Sequence, residues 1–378
     1  MDNIQPWFAL KNVPGVGNLL FKRLIDRFGD PQNVFRAEPS DLATVEGISG
    51  RIAGAIKRYR LTDAVKREMA LAAQQECRIY TLLDPEYPPL LRHIPDPPPV
   101  IYVRGSLEHT ENGIAVVGSR EATSYGISMA RRLGSDLAAL GLPVVSGMAR
   151  GIDTAAHQGA LSAGGRTIAV LGCGLGVIYP PENRALFEQI IHNGAVVSEL
   201  PVMEEPNAYN FPARNRIIAG MTIGTVVVEA ARQSGSLITA RLAAEQGREV
   251  FAVPGSVHSF KSAGTHNLLK QGAKLVTSVK DVVDEFYHLQ DGITPGKRVA
   301  AEDIPAKNYP DTGFAEALTQ EETRILGLLE AYPIHMDELS SRSDLSSGKL
   351  AGILLTLELK GKIIQSPGKY FTVSGEKN

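Results

Sequence analysis

The sequence predicts a doubly wound α/β domain built on a parallel sheet, with one smaller module before it and another after it. Three observations carry that expectation. The chain has 378 residues, well beyond the roughly 100 to 200 that one domain usually holds. Between residues 100 and 284, short β-branched runs alternate with helix-length stretches, and the runs are apolar throughout, as in strands covered on both faces. Composition then shifts on either side: prolines crowd residues 84–99, and Gly, Pro, Lys, Asp and Asn without periodicity fill residues 287–311.

Strands are expected at 114–117, 143–145, 167–171, 195–197, 225–228, 249–253 and 274–276. Helices between consecutive parallel strands cover both faces, so the domain, placed at 81–288, is a Rossmann-like doubly wound sheet. The repeated prolines before it exclude helix and favour an extended connector.

Residues 1–80 show short helical stretches separated by glycine turns. Two similar phrases, Val13-Pro-Gly-Val-Gly17 and Val45-Glu-Gly-Ile-Ser49, each precede a helical pattern ending in Lys or Arg. A helix N-terminus after such a hairpin exposes unpaired N–H groups that suit a phosphate, so this segment looks like a pair of helix-hairpin-helix units of the SAM-like kind. A helical protein-interaction bundle whose glycines only make turns fits equally well.

Residues 289–314 are expected to form a linker. Beyond it, at 315–378, helices are expected at 320–330, 336–340 and 346–360, with a hairpin over 363–373. That order resembles a winged helix. Its acids (Glu321, Glu322, Glu330, Asp337, Glu338 and Asp344) rival its basic residues, which favours docking to protein over binding duplex DNA.

Bulk numbers bound the function. Hydrophobic residues make up 43% and charged residues 21%, so disorder is not the bulk state. The net charge of -2 supplies no global field for polyanions, so any nucleic-acid contact must come from local clusters of Arg and Lys. Aromatic residues, at 6%, leave few rings for stacking on bases. Cys77 and Cys173 lie far apart among apolar neighbours, which fits buried reduced thiols and no metal site. No leader pattern and no uncharged apolar run of about 18 residues occurs, so a soluble, cytoplasmic protein with no membrane partner is expected.

The first strand of the domain runs into Val117-Gly118-Ser119-Arg120, which places a glycine, a hydroxyl and a guanidinium at the carboxyl edge where open α/β sheets hold ligands. Arg120 and Thr123 stand where a dinucleotide fingerprint demands glycine, and Val177 spoils the second candidate, Gly172-Cys-Gly-Leu-Gly176. No cofactor is expected.

The second strand leads to Ser146-Gly147-Met-Ala-Arg150-Gly151-Ile-Asp153. Gly147 permits tight backbone and Arg150 adds a planar donor, while Asp153 either caps its helix or orients Arg150. His157 has no nucleophile at a diagnostic spacing, so no catalytic residue is expected.

The densest anion signal is Phe211-Pro-Ala-Arg214-Asn215-Arg216, just ahead of apolar helix text. Guanidinium forks bind phosphate bidentately. The alternative is that Arg214 or Arg216 pairs with Glu199 or Glu229 to hold loops together. Last, Ser234-Gly-Ser236 opens a helix after a strand, offering amides and hydroxyls to a phosphate, or plain capping by Ser236.

Together, Ala115-Val-Val-Gly-Ser-Arg120, Ser146-Gly-Met-Ala-Arg-Gly-Ile-Asp153, Arg214-Asn-Arg216, Ser234-Gly-Ser-Leu-Ile-Thr-Ala240 and Val253-Pro-Gly255 closely resemble the DNA-processing protein A family, DprA or Smf. The resemblance implies a Rossmann-like domain that binds and shields single-stranded DNA and helps load the RecA recombinase in natural transformation. It implies a DNA pocket at Gly118, Ser119 and Arg120 with Arg214, Asn215 and Arg216 opposite. It further implies a homodimer through His266, Leu269 and Leu275. Two other readings stand beside it. One is a nucleoside-phosphate hydrolase using Glu229, since the text from Gly224 to Glu229 echoes a related Rossmann family; the other is an adaptor whose terminal modules bind proteins.

Overall fold

The computed structural model describes residues 4–286, 318–329, 333–343, 345–366 and 368–373. The expected linker at 289–314 lies outside the described residues, as do Glu330 and Asp344.

Nine strands form one sheet: β1 (Arg78–Thr81), β2 (Val100–Gly105), β3 (Ile114–Val117), β4 (Val144–Ser146), β5 (Thr167–Val170), β6 (Gly194–Ser198), β7 (Gly224–Val227), β8 (Glu249–Ala252) and β9 (Lys274–Leu275). Their order is β1-β2-β6-β5-β4-β3-β7-β8-β9. From β3 onward every pairing is parallel, and β3 to β7 are buried along their whole length, which is why they read as continuous apolar runs.

The sheet is not parallel throughout, as the sequence pattern had implied. β1 and β2 add to β6 as antiparallel strands. β1 is four residues of mixed polarity at the sheet edge and carries no two-faced apolar signal, whereas β2, an internal strand directly after the prolines of the connector, opens with the buried apolar run Val100-Ile-Tyr-Val103.

The chain steps outward from β3 through β4 and β5 to β6, then returns across the sheet to lay β7 against the other side of β3. In register, Val117 pairs with Val227 at the carboxyl ends of β3 and β7. The direction of winding reverses there, and the helices diverge to leave a crevice.

The N-terminal segment forms six short helices, from Gln5–Lys11 to Asp63–Gln74. Gly15 and Gly47 hold φ of 92° and 89° in the two hairpin turns, a region that L side chains avoid. These helices share their core with the sheet: Trp7 stacks on Phe21 at 5.5 Å, and Phe8 meets Tyr102 of β2 edge-on at 6.2 Å.

The C-terminal residues make a second unit. Its helices are Gln320–Leu328, Met336–Ser343 and Ser347–Leu359, and its three strands, β10 (Ile334–His335), β11 (Ile363–Ser366) and β12 (Tyr370–Val373), pair in the order β10-β12-β11. This is a winged helix around Ile325, Leu339, Leu350, Leu354 and Phe371. Thr319 and Glu322 close a capping box on its first helix. β10, two residues long, had no sequence signal of its own.

Candidate functional site

A cleft of about 770 Å³ opens at the carboxyl ends of β3 and β7. Its walls come from the loop 118–121 after β3, the helix Asn210–Gly220, the loop and helix start at 231–239, and the segment carrying Phe260 and Lys261. Gly118, Ser119, Arg120, Arg214, Asn215, Ser234 and Ser236 all line it. Gly147 and Arg150 line an adjoining recess of about 170 Å³ that shares Arg120, Glu121, Tyr179 and Phe211 with the cleft. Arg216 is in neither.

The three arginines expected to converge on a ligand have three different surroundings. Arg120 is exposed, and its guanidinium lies 5.2 Å from the centroid of the Phe211 ring. The ring of Tyr179 stands 5.7 Å from that of Phe211. A cation resting on an aromatic face is oriented without being neutralised, so Arg120 keeps its charge available at the mouth of the cleft.

Arg214 is only 5% exposed. Its Nη1 donates to the carbonyl of Gly147 at 2.7 Å and also to that of Val170, and its Nε donates to Asn215 Oδ1 at 3.2 Å. A Cβ on residue 147 would fall 2.4 Å from Arg214 Nη1, so the close approach depends on Gly147. Burial lowers the Arg214 pKa to about 10, with the nearby Asp153 opposing and the like charge of Arg120 adding to that shift. The group remains protonated at neutral pH. Arg214 therefore contributes positive potential from the cleft wall, whereas Arg120 contributes reach.

Arg216 corrects the expectation of a third phosphate ligand. Its Nη2 bonds Glu199 Oε2 at 2.5 Å and its Nε pairs with Asp96 Oδ2 at 3.0 Å. Glu199 also accepts from Asn18 Nδ2 at 3.2 Å, and its carbonyl accepts from Lys11 Nζ at 2.9 Å. The pairing with Glu199, named above as the alternative, is the one that forms, and it ties the N-terminal helices to the helix carrying Arg214.

Asp153 neither caps its helix nor holds Arg150. The N-cap is Gly151, and Asp153 Oδ2 turns back to accept from the amides of Gly147 at 3.1 Å and Ala149 at 3.3 Å. Burial pushes its carboxyl above the ordinary value, against the pull of Arg214 and those amides. Arg150 is exposed and pairs with Glu182. Ser234, not Ser236, is the N-cap of the helix Gly235–Glu245: Ser234 Oγ accepts from the amide of Ser236 and lies 2.8 Å from its hydroxyl. Asn215 Nδ2 donates to the carbonyl of Gly235 at 3.3 Å, joining the two helices that face the cleft.

Glu229 is buried and is not among the residues lining the cleft. His157 is fully buried and packed; its pKa falls to about 3, chiefly through burial and secondarily through Arg214. Cys77 and Cys173 are buried free thiols, each pushed up to about 11 mainly by burial. Among the described residues there is no cluster of metal-ligating side chains and no helix long and apolar enough to cross a membrane. His266 and Leu269, both partly buried, sit on the helix Ala263–Lys270, and Leu275, 51% exposed, sits on the outermost strand β9. His266 Nε2 lies 3.0 Å from the carbonyl of Gly255.

Sequence reasoning missed Tyr179, the ring of Phe211, Phe260 and Lys261 as lining residues. The low overall aromatic content hid the rings, since the structure gathers them from three separate segments: a loop, the first turn of the helix Asn210–Gly220 and the turn Phe260–Ser262. The one available signal was position: Phe260-Lys261 follows the carboxyl end of a strand, as Arg120 does.

The family model for DNA recombination-mediator protein A matches residues 78–287, and that for the DprA winged helix domain matches residues 310–369. Protein Smf of Synechocystis sp. is 37% identical over 96% of this chain and 96% of its own length. DNA processing protein DprA of Streptococcus pneumoniae is 42% identical over 65% of this chain and 86% of its own. The X-ray structure of the pneumococcal protein covers 75% of this chain and 98% of its own, at 37% identity and a TM-score of 0.66. DNA processing protein A from Helicobacter pylori, whose structure was described for its single-stranded DNA binding mode, is 29% identical, covers 57% of this chain and 97% of its own, and has a TM-score of 0.51.

Proposed function

The chain belongs to the DNA recombination-mediator protein A family, DprA or Smf, and from that premise we propose that it binds single-stranded DNA in the cleft between β3 and β7. In this reading it shields incoming DNA and helps load RecA during natural transformation and recombination. It does so in the cytoplasm, as a homodimer through His266, Leu269 and Leu275, without catalysis and without a cofactor.

The observation that carries the reading is the exposed guanidinium of Arg120, seated on Phe211 above a wall that holds the buried charge of Arg214. A phosphodiester passing the mouth of the cleft meets a cation that can donate to it directly and a second cation whose field acts through the wall. Ser119, Asn215, Ser234 and Ser236 add hydrogen-bonding groups around it, with Gly118, Gly147 and Arg150 shaping the rim. The Helicobacter relative's single-strand binding supports the assignment by kinship. The hydrolase alternative requires Glu229 at the ligand, and Glu229 does not line the cleft.

Fluorescence anisotropy with labelled single-stranded and duplex oligonucleotides at two salt concentrations tests this. The expected result is preference for single strands, with affinity falling on a log–log salt slope of about -0.7 per phosphate contacted. Equal binding to duplex, or none to either, overturns it. Co-sedimentation with RecA, with and without DNA, tests the loading step.

A further inference from the structure

We propose that Phe260 is a stacking platform for an unpaired nucleobase at the mouth of the cleft. The inference rests on the single-strand reading above and adds to it a ligand for the base, where the arginines address the phosphate.

Among the described phenylalanines Phe260 alone is exposed, at 72%. A single exposed apolar side chain is ordinary on a protein surface and by itself indicates nothing. Three further facts separate this one. The ring lines the cleft that also holds Arg120 and Arg214. It stands on a short turn, Phe260–Ser262, anchored by the 3% exposed Ser262, whose carbonyl accepts from Thr265 Oγ1 at 3.0 Å. The adjacent Lys261 donates from Nζ to the main-chain carbonyl of Glu121, next to Arg120, so the two loops are latched and the ring is held in register with the guanidinium.

That latch matters because stacking gains little from a ring that must first be immobilised. Phe211, the other phenylalanine in the cleft, already has the Arg120 guanidinium over it and Tyr179 beside it. Phe260 has instead the Lys261 ammonium 5.8 Å from its centroid, a cation close to where the phosphate of a stacked nucleotide would lie. A phenyl ring has no hydrogen-bonding group, so it accepts the π-face of any base, as a binder without sequence preference requires. In a duplex those faces are covered by neighbouring base pairs, so such a platform also selects for single strands.

The full-length Phe260→Trp protein provides the direct test, because the one native tryptophan, Trp7, is 5% exposed and gives a constant background. Titration with an oligothymidylate should quench the new emission, and an abasic strand of the same length should not. In parallel, Phe260→Ala and Phe260→Leu should weaken binding of the base-bearing strand about tenfold and leave the abasic strand unchanged, while Phe260→Tyr keeps full affinity. If the wild-type protein binds no single strand, the cleft reading and this one fall together. If it binds and the variants match it with no quenching, the platform alone is overturned. Unchanged affinity with an altered sedimentation coefficient also overturns it, by assigning the ring to a contact between copies.

Discussion

The guanidinium of Arg214 donates to the main-chain carbonyl of Gly147 at 2.7 Å across 67 residues of sequence, locking the loop after β4 against the helix that walls the cleft. The contact requires glycine at 147, where a Cβ would lie 2.4 Å from the guanidinium nitrogen. Arginine side chains bend, but this one is buried and bonded to two carbonyls, so displacing it breaks both bonds. Gly147→Ala should therefore cost about 1–3 kcal/mol of stability by denaturant titration and weaken DNA binding in the fraction that folds. An unchanged midpoint would show that the guanidinium moves freely.

Arg120 is expected to behave in the opposite way. It is exposed, so Arg120→Ala should leave the unfolding midpoint where it is. Loss of a charged hydrogen bond to phosphate should lower single-strand affinity by about 1–3 kcal/mol and make the salt slope shallower by about 0.7. Wild-type affinity in this variant would remove the central contact of the proposed function.

Arg216, two residues from Arg214, belongs with structure. Arg216→Met leaves Glu199, 15% exposed, and Asp96, 42% exposed, without their cation. Breaking a buried pair costs about 3–5 kcal/mol, and the exposure of Asp96 places this one near the lower end, at about 3 kcal/mol by chemical denaturation. A midpoint equal to wild type would reopen a ligand role for this residue.

His157 sets a pH dependence. Thr167 gives its hydroxyl proton to the carbonyl of Val144 at 2.8 Å, so His157 Nδ1 must carry a proton and donate it to Thr167 Oγ1 at 2.7 Å. Nε2 is buried without a partner, and protonating it would bury an unsatisfied cation. The unfolded imidazole takes a proton near 6.5 and the folded one only near 3, so acid favours the unfolded state. This contribution is intact above pH about 6.5 and lost progressively as pH falls toward 3, amounting to about 2 kcal/mol between pH 7 and 5. His157→Met should flatten the stability profile across that window, and a profile as steep as wild type would assign the acid sensitivity elsewhere.

Self-association tests the remaining part of the proposal. Burying Leu269 and Leu275 across a two-fold contact would each contribute on the order of 1.5 kcal/mol or more. Sedimentation velocity should find a dimer whose dissociation constant rises at least about tenfold in Leu269→Asp or Leu275→Asp. A monomeric wild-type protein at micromolar concentration would refute that interface.

Much of the fold was legible because burial on both faces leaves a direct mark on sequence. The internal strands β3 to β7 are recognised from uninterrupted runs such as Ile114–Val117 and Thr167–Val170, and each boundary falls within a residue or two of its expected place. β1 was not, because a strand such as Arg78–Thr81 at a sheet edge has no requirement to be apolar throughout; β2, whose run Val100–Val103 is apolar and buried, obeys the same rule as the internal strands and was nonetheless not expected. The cleft was legible as a location, since glycines and arginines following strands mark the carboxyl edge of a wound sheet.

By itself, then, the amino-acid order determined the doubly wound sheet, the winged helix and the edge at which the cleft opens, which follow from local patterns of polarity and spacing, while its motifs carried the resemblance to the family. Only the tertiary structure decided what each arginine does. Arg120, Arg214 and Arg216 are chemically identical, and their roles diverge because one meets an aromatic face, one meets the carbonyls of Gly147 and Val170, and one meets the carboxylates of Asp96 and Glu199. Those neighbours lie up to 120 residues away in sequence, as Arg216 and Asp96 do at 3.0 Å, and Phe211 and Arg120 meet at 5.2 Å across 91 residues, so close packing and not local spacing selects them.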